Sequence, residues 1–108
     1  MNNEKMVTEL TTKEFEEFTK TGLVFIDFFA EWCMPCVMMA PIIEDLSESF
    51  SGKIKFGKVN VDDNETLARK FNISSIPNFV ILKEGKMIDQ FGSAMEYEEI
   101  EDRLKSLL

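Results

Sequence analysis

The sequence predicts an α/β protein in which helices flank a central mixed β-sheet on both faces. Residues 23–29 (LVFIDFF) form an almost continuous apolar run, which is too short for a separate helix and is typical of a strand buried on both faces. Segments with helical periodicity alternate with strand-like segments, which indicates crossovers between parallel strands. Near the C-terminus, two strand-like segments flank Glu84-Gly85, which indicates an antiparallel hairpin.

The first half of the chain predicts two strands and two helices. A short strand at 6–10 precedes a helix at 12–20, and Gly22 is expected to stop that helix. After the central strand, apolar residues recur every three or four positions from Cys33 onward, which is typical of an amphipathic helix. This second helix is expected to end before Gly52.

The second half predicts three strands and two helices. The alternating segment IKFGKVNV (54–61) is typical of a strand, and the acidic stretch after it marks the start of a short helix. Residues 78–83 and 87–91 form the two strands of the hairpin, and a helix at 96–107 closes the chain. The resulting order, β-α-β-α-β-α-β-β-α, fits one domain over residues 1–108.

The composition excludes several classes of function. The net charge is −8, so the clustered cations that nucleic acid or an anionic membrane surface requires are scarce. The chain has no histidine, which excludes Cys-His and Ser-His nucleophile pairs and every His-ligated metal site. The initial segment MNNEKMVTEL lacks the apolar region of a signal peptide, and no run is long enough to span a bilayer. We therefore expect a cytoplasmic protein.

The two cysteines, Cys33 and Cys36, lie where the central strand gives way to the second helix. Residues three apart on a helix share a face, so the two sulfurs can close a small disulfide ring or open to two thiols. The partial positive charge of a helix N-terminus favours a thiolate, and Pro35 suits the first helical turn. We expect Cys33, at the mouth of the helix, to be the attacking cysteine and Cys36, in the buried stripe, to be the resolving one.

Two other interpretations of the cysteines remain open. They could be ordinary core residues that lie near each other by coincidence. Two thiolates could also hold Cu(I), with Met34, Met38 and Met39 as soft neighbours. Zinc prefers four ligands, and the chain has neither a third cysteine nor a histidine. Because methionines at helical spacing belong more often to a core or a docking surface than to a metal site, we predict no metal.

The segment DFFAEWCMPC resembles the active-site segment of the thioredoxin family, whose usual form is D-F-W-A-E-W-C-G-P-C. The likeness covers nearly the whole chain in the right order and implies the thioredoxin fold. It continues in Met39-Ala40-Pro41, in GKVNVD (57–62), in Ile76-Pro77, in Lys83-Glu84-Gly85 and at Gly92. A C-x-x-C pair alone is a weak signal, whereas the same pair with this upstream strand and a downstream Ile-Pro is specific.

The resemblance implies a thiol–disulfide oxidoreductase that reduces protein disulfides. Cys33 would form the mixed disulfide with the substrate and Cys36 would resolve it, so that the Cys33–Cys36 disulfide is the redox group and no bound cofactor is needed. Pro77 would be cis, and the backbone of Ile76 would pair with the substrate as an added strand. The apolar docking rim would comprise Trp32, Met34, Pro35, Ile76, Pro77 and Gly92.

The resemblance also implies the partners of the protein. A thioredoxin-reductase-type enzyme, linked either to NADPH or to ferredoxin, would supply the electrons, and protein disulfides would receive them. The family is usually monomeric, so we expect a monomer without nucleic acid or membrane partners.

The buried aspartate of the family and its partner lysine match Asp27 and Lys58. A desolvated carboxyl group has a raised pKa, so Asp27 could carry a proton to or from Cys36 near neutral pH. The same two residues could instead form a buried ion pair with no catalytic role.

The sequence departs from the usual family pattern around the cysteines and in the segment before the hairpin. The differing positions are Phe29 (usually Trp), Met34 (usually Gly), Val37 (usually basic), Ser74-Ser75 (usually a basic residue and Gly) and Asn78 (usually Thr). These differences bear on the reduction potential and on the choice of partners. A disulfide oxidase or isomerase on the same fold, a Cu(I) carrier and a non-catalytic interaction domain therefore remain as alternative functions.

Overall fold

A computed structural model describes residues 6–108. Within these residues the elements follow the predicted order, and their bounds differ from the predicted ones by a residue or two. The strands are β1 (Val7–Glu9), β2 (Leu23–Phe29), β3 (Lys55–Asn60), β4 (Asn78–Lys83) and β5 (Lys86–Gly92). The helices are α1 (Thr12–Thr19), α2 (Met34–Ser49), α3 (Glu65–Lys70) and α4 (Tyr97–Lys105). Residues 1–5, on which the expectation of no export signal partly rests, lie outside the described residues.

The strands form one sheet in the order β1-β3-β2-β4-β5. Strands β1 and β2 run parallel to β3, whereas β4 is antiparallel to β2 and β5 is antiparallel to β4. The sheet is therefore mixed, as predicted. Because β2 has a neighbour on each side, its backbone groups are paired along both edges, and the side chains of residues 24–28 are buried. The most apolar strand of the chain thus leads from the centre of the sheet directly to the cysteines.

Side chains alternate across β2, so this strand contributes to a hydrophobic core on each face of the sheet. On one face, which α2 and α4 cover, Phe25 packs against Phe56 and Phe79 with ring centroids 4.9 Å and 5.5 Å apart. On the other face, Phe28 belongs to the core that α1 and α3 cover. The prediction of helices on both faces is confirmed. The alternation places Asp27 on the same face as Phe25, beneath α2.

One predicted turn is wrong. Helix α1 ends at Thr19, and Lys20 caps it in a right-handed conformation, so Gly22 is not its stop. Gly22 has a φ of 77° and forms the turn into β2 instead, where its N–H donates to Glu84 Oε2 at 3.1 Å and its carbonyl accepts the Glu84 N–H at 3.0 Å. Glu84 and Gly85 both have positive φ, as a tight two-residue hairpin turn requires. The positive φ of Gly22 therefore serves the turn into β2 and its hydrogen bonds with the hairpin, and it does not serve the end of α1.

Candidate active site

The two cysteines lie at the N-terminus of α2 and form a disulfide, with their Cα atoms 5.3 Å apart. Cys33 is the N-cap residue of the helix, and its Sγ accepts a hydrogen bond from the Cys36 N–H at 3.3 Å. In the reduced protein, this N–H group and the positive end of the helix would stabilise a thiolate on Cys33. The position of the pair at the βα junction is the one expected from the sequence.

The burial of the cysteines differs from the expectation. Cys33 and Cys36 are both 4% exposed, so the prediction that Cys33 is the more open residue is wrong for this disulfide. Cys33 is covered because Ile76 packs against the cysteines together with Ala30, and the Ile76 carbonyl oxygen lies 3.9 Å from Cys33 Sγ. The two sulfurs differ in their neighbours instead: Cys33 faces the segment that contains Ile76, and Cys36 faces a cavity behind the helix.

A second segment of the site precedes β4. The Ile76–Pro77 peptide bond is cis, as the resemblance implies, and Pro77 is buried. The Pro77 carbonyl accepts the Ser93 N–H at 3.1 Å, which joins this segment to the end of β5. Gly92 fits tightly here, since a Cβ atom on it would lie 3.3 Å from the Pro77 carbonyl oxygen and 3.2 Å from Asn78 Nδ2. A side chain at this position would therefore displace the backbone next to the disulfide.

The predicted docking rim lies around the disulfide. Trp32 and Met34 are 70% and 65% exposed, and Pro35 in the first turn of α2 is exposed as well. The indole Nε1 of Trp32 donates to Asp62 Oδ2 at 2.8 Å, so the carboxylate holds the ring in one orientation. The remaining members, Ile76, Pro77 and Gly92, form the opposite side as described above.

Two features of this surface were not predicted from the sequence. Val37 and Met38 are 48% and 67% exposed and extend the apolar surface along the outside of α2. Their spacing of three and four residues from Met34 is a helical signal that could have identified them. Asp62 was not predicted as a neighbour of Trp32, because the two residues are thirty positions apart in the chain and no local pattern connects them.

Asp27 is a buried carboxyl group that has no hydrogen-bond or ion-pair partner among residues 6–108. The residue is 5% exposed. Among all buried side-chain oxygen and nitrogen atoms of residues 6–108, only its Oδ1 atom lacks a hydrogen bond. Burial raises the pKa of Asp27 from 3.8 to about 7, and the positive charge of Lys58 opposes this rise only in part. Near neutral pH, Asp27 can therefore both accept and release a proton.

Lys58 lies beside Asp27 in the neighbouring strand, since the two residues are register partners of β2 and β3. The Lys58 ammonium group lies over the ring of Phe29, 5.5 Å from its centroid, and among the described residues no direct ion pair joins it to Asp27. Both side chains line a cavity of about 240 Å³ that extends to Cys36. The full lining comprises Asp27, Phe29, Ala30, Glu31, Cys36, Val37, Ala40 and Lys58. The cavity thus connects the buried carboxyl group with the second cysteine.

Two further properties concern metals and membranes. Across residues 6–108, histidine, cysteine, aspartate and glutamate side chains form no group of three or more that could hold a metal ion. None of the helices in the same part of the chain combines the length and the hydrophobicity that crossing a bilayer requires.

Comparison with known proteins identifies the family. The Thioredoxin family model matches residues 6–106. The chain belongs to the thioredoxin family. The thioredoxin of Chlamydia caviae is 45% identical over 85 residues, which cover 79% of this chain and 82% of the relative. The thioredoxin of Chlorobaculum thiosulfatiphilum is 42% identical over 89 residues (81% and 82%), and that of Bacillus subtilis is 37% identical over 83 residues (77% and 80%).

Membership of the thioredoxin family makes this chain a thiol–disulfide oxidoreductase, and Cys33–Cys36 is its redox-active disulfide. The family, the fold and the oxidoreductase activity predicted from the sequence are confirmed. Met34 and Val37, which directly follow the two cysteines in the chain, are 65% and 48% exposed.

Proposed function

We propose that this chain reduces protein disulfides, with Cys33 as the nucleophile and Cys36 as the resolving cysteine. The observation that supports this assignment is the position of Cys33 Sγ at the N-cap of α2, where it accepts the Cys36 N–H. A thiolate at this place is stabilised without any neighbouring histidine. The exchange uses only the two sulfurs of the chain and needs no bound cofactor.

The reaction transfers two electrons from the dithiol to the substrate. The Cys33 thiolate attacks one sulfur of the substrate disulfide, forms a mixed disulfide and releases the other substrate sulfur as a thiolate, which takes up a proton. Cys36 then loses its proton and attacks Cys33 Sγ, which releases the second substrate sulfur and leaves the Cys33–Cys36 disulfide. Cys36 is three residues from Cys33 on the same helix, so this second attack is intramolecular and fast.

Asp27 is the proposed acceptor of the Cys36 proton. Its carboxyl group and Cys36 line the same cavity, and its pKa of about 7 suits a group that must take up a proton at neutral pH and release it again. Lys58 shares the cavity and moderates this pKa, which keeps a fraction of the carboxyl group ionised. The carboxyl group therefore acts on the resolving step and not on the first attack.

The docking rim and the charge of the chain suggest the partners. Trp32, Met34 and Pro35 on one side and Ile76, Pro77 and Gly92 on the other would hold an extended substrate chain, with the Ile76 backbone pairing with it as an added strand. A thioredoxin-reductase-type enzyme would return two electrons to the disulfide. The chain would act as a one-domain monomer in the cytoplasm. Its net charge of −8 disfavours binding to nucleic acid and to anionic membranes.

A trapping experiment tests the roles of the two cysteines. The reduced Cys36→Ser variant is mixed with insulin, and products are separated without reductant. We expect a stable mixed disulfide through Cys33 that dithiothreitol releases, and none from the Cys33→Ser variant. The reverse pattern would show that the roles are exchanged. The reduction potential, measured by equilibration with glutathione, tests the direction of transfer, because a strongly oxidising value would favour an oxidase.

A further inference from the structure

One side-chain nitrogen holds both ends of the segment that carries the cis peptide bond. The carboxamide Nε2 of Gln90 in β5 donates to the Phe71 carbonyl at 2.9 Å and to Asn78 Oδ1 at 3.0 Å. Phe71 caps the end of α3 and Asn78 begins β4, so these two bonds span residues 71–78. A primary amide has two N–H groups, and each of them has a partner here.

Between these two anchors lies a stretch of three residues without support from the backbone. Within the described residues, the N–H groups of Ser74, Ser75 and Ile76 take part in no backbone–backbone hydrogen bond. The same stretch brings the Ile76 carbonyl oxygen to 3.9 Å from Cys33 Sγ. The position of Ile76 beside the disulfide therefore depends on the bonds that flank this stretch and on the packing of its own side chain. These bonds are the two from Gln90, the bond from the Ile73 N–H to the Ala68 carbonyl and the bond from the Ser93 N–H to the Pro77 carbonyl.

Gln90 also connects this segment to the end of β5, which carries Gly92 on the same side of the rim. Asn78 pairs with Gly92 across β4 and β5, and its Nδ2 atom lies close to that glycine. A shift of Asn78 would move Pro77, whose carbonyl accepts the Ser93 N–H. The hydrogen bonds of Gln90 thus hold the backbone on the side of the docking rim that carries Ile76, Pro77 and Gly92.

We propose that Gln90, acting through Asn78 and the Phe71 carbonyl, is a positioning residue that sets how well an extended protein chain pairs with the backbone of Ile76. This role rests on the proposed function, since it concerns protein substrates. A small disulfide that has no chain to pair with the segment would not depend on it. Gln90 therefore contributes to substrate specificity without contacting the reacting sulfurs.

The test compares two substrates in the Gln90→Met variant, which keeps the length of the side chain and removes both donors. We expect the KM for insulin to rise about fivefold with kcat little changed. The reason is that the variant loses the hydrogen bonds that hold the Ile76 backbone in place for pairing with the substrate chain. The rate constant for 5,5′-dithiobis(2-nitrobenzoic acid) should stay at the wild-type value. Amide hydrogen exchange at Ser93, whose N–H donates to the Pro77 carbonyl, should be faster, whereas exchange in β2 should not change.

Two further variants keep the test decisive. Asn78→Ala removes one of the two bonds and should raise the insulin KM by less than Gln90→Met does. Ile100→Val destabilises the core on the other face of the sheet and serves as the control for lost stability. We expect this variant to leave the KM for insulin unchanged. An equal change for both disulfides in Gln90→Met, or no change for insulin, would overturn the positioning role. A wild-type chain that does not reduce insulin would instead overturn the proposed function and this role with it.

Discussion

Asp27 and Lys58 are direct neighbours in the parallel strands β2 and β3, yet Oδ1 of Asp27 has no hydrogen-bond partner among the described residues. The Lys58 ammonium group lies over the Phe29 ring instead. A direct ion pair would lower the pKa of the carboxyl group below its ordinary value. Because the lysine acts at a distance, burial dominates, and the pKa of Asp27 is raised to about 7.

The raised pKa makes the stability of the fold depend on pH. The unfolded chain releases the Asp27 proton near the ordinary pKa of 3.8, whereas the folded protein keeps it up to about pH 7. Stability should therefore fall as the pH rises between these two values, since the folded state binds the additional proton. Asp27→Asn removes this effect. We therefore expect the change in the free energy of unfolding that this substitution causes to be more stabilising at about pH 8 than at about pH 4, by on the order of 3 kcal/mol.

Urea denaturation at both pH values measures this difference. Asp102→Asn removes one carboxylate from an exposed position of α4 and is the matched control. If Asp27→Asn and Asp102→Asn change the free energy of unfolding alike at both pH values, Asp27 does not carry a raised pKa.

Asp27→Asn should also slow the second step of the reaction. Without the Asp27 carboxylate, the cavity keeps only the exposed carboxylate of Glu31 as an acceptor for the Cys36 proton. Release of the substrate from the mixed disulfide should therefore slow by about tenfold or more at pH 7. Stopped-flow measurement of insulin reduction between about pH 5.5 and pH 9 should show an inflection near neutrality in the wild type that the variant lacks. Identical pH profiles for the two proteins would exclude Asp27 from the proton transfer.

The sequence predicts best those features that depend on local patterns. The apolar run of β2 and the helical spacing after Cys33 predict their elements correctly, because strand burial and helix amphipathicity leave a direct periodicity in the chain. The cis bond before Pro77 follows from the family resemblance alone, since no local signal distinguishes it from a trans proline.

Features that depend on distant parts of the chain were not predicted. The equal burial of the cysteines arises from Ile76, forty residues beyond Cys36, which packs against them. The bonds from Gln90 to Phe71 and Asn78 likewise join residues that only the folded sheet brings together. Polar side chains such as these have no periodicity that marks their partners, so their contacts become visible only in three dimensions.

The hydrogen bond between Trp32 and Asp62 should restrict the motion of the docking rim. Trp32 is the only tryptophan of the chain, so tryptophan fluorescence reports on this residue alone. In Asp62→Ala we expect lower fluorescence anisotropy of Trp32, because the indole loses its acceptor. The free energy of unfolding should change by less than about 0.5 kcal/mol, since both side chains are exposed. Unchanged anisotropy would mean that packing alone, without the carboxylate, orients the ring.

Asn64 should matter for stability far more than its place in a loop suggests. It is 7% exposed, and its Oδ1 accepts the Thr12 N–H at 2.8 Å while its Nδ2 donates to the Asn60 carbonyl at 3.0 Å, which ties the first turn of α1 to the end of β3. Asn64→Ala removes the acceptor of the Thr12 N–H and leaves the Asn60 carbonyl with the Asp63 N–H alone, so it should destabilise the protein by about 2 kcal/mol in urea denaturation. Asn64→Asp keeps the acceptor for Thr12 and should cost less. Equal losses in the two variants would show that the bond to Thr12 contributes nothing.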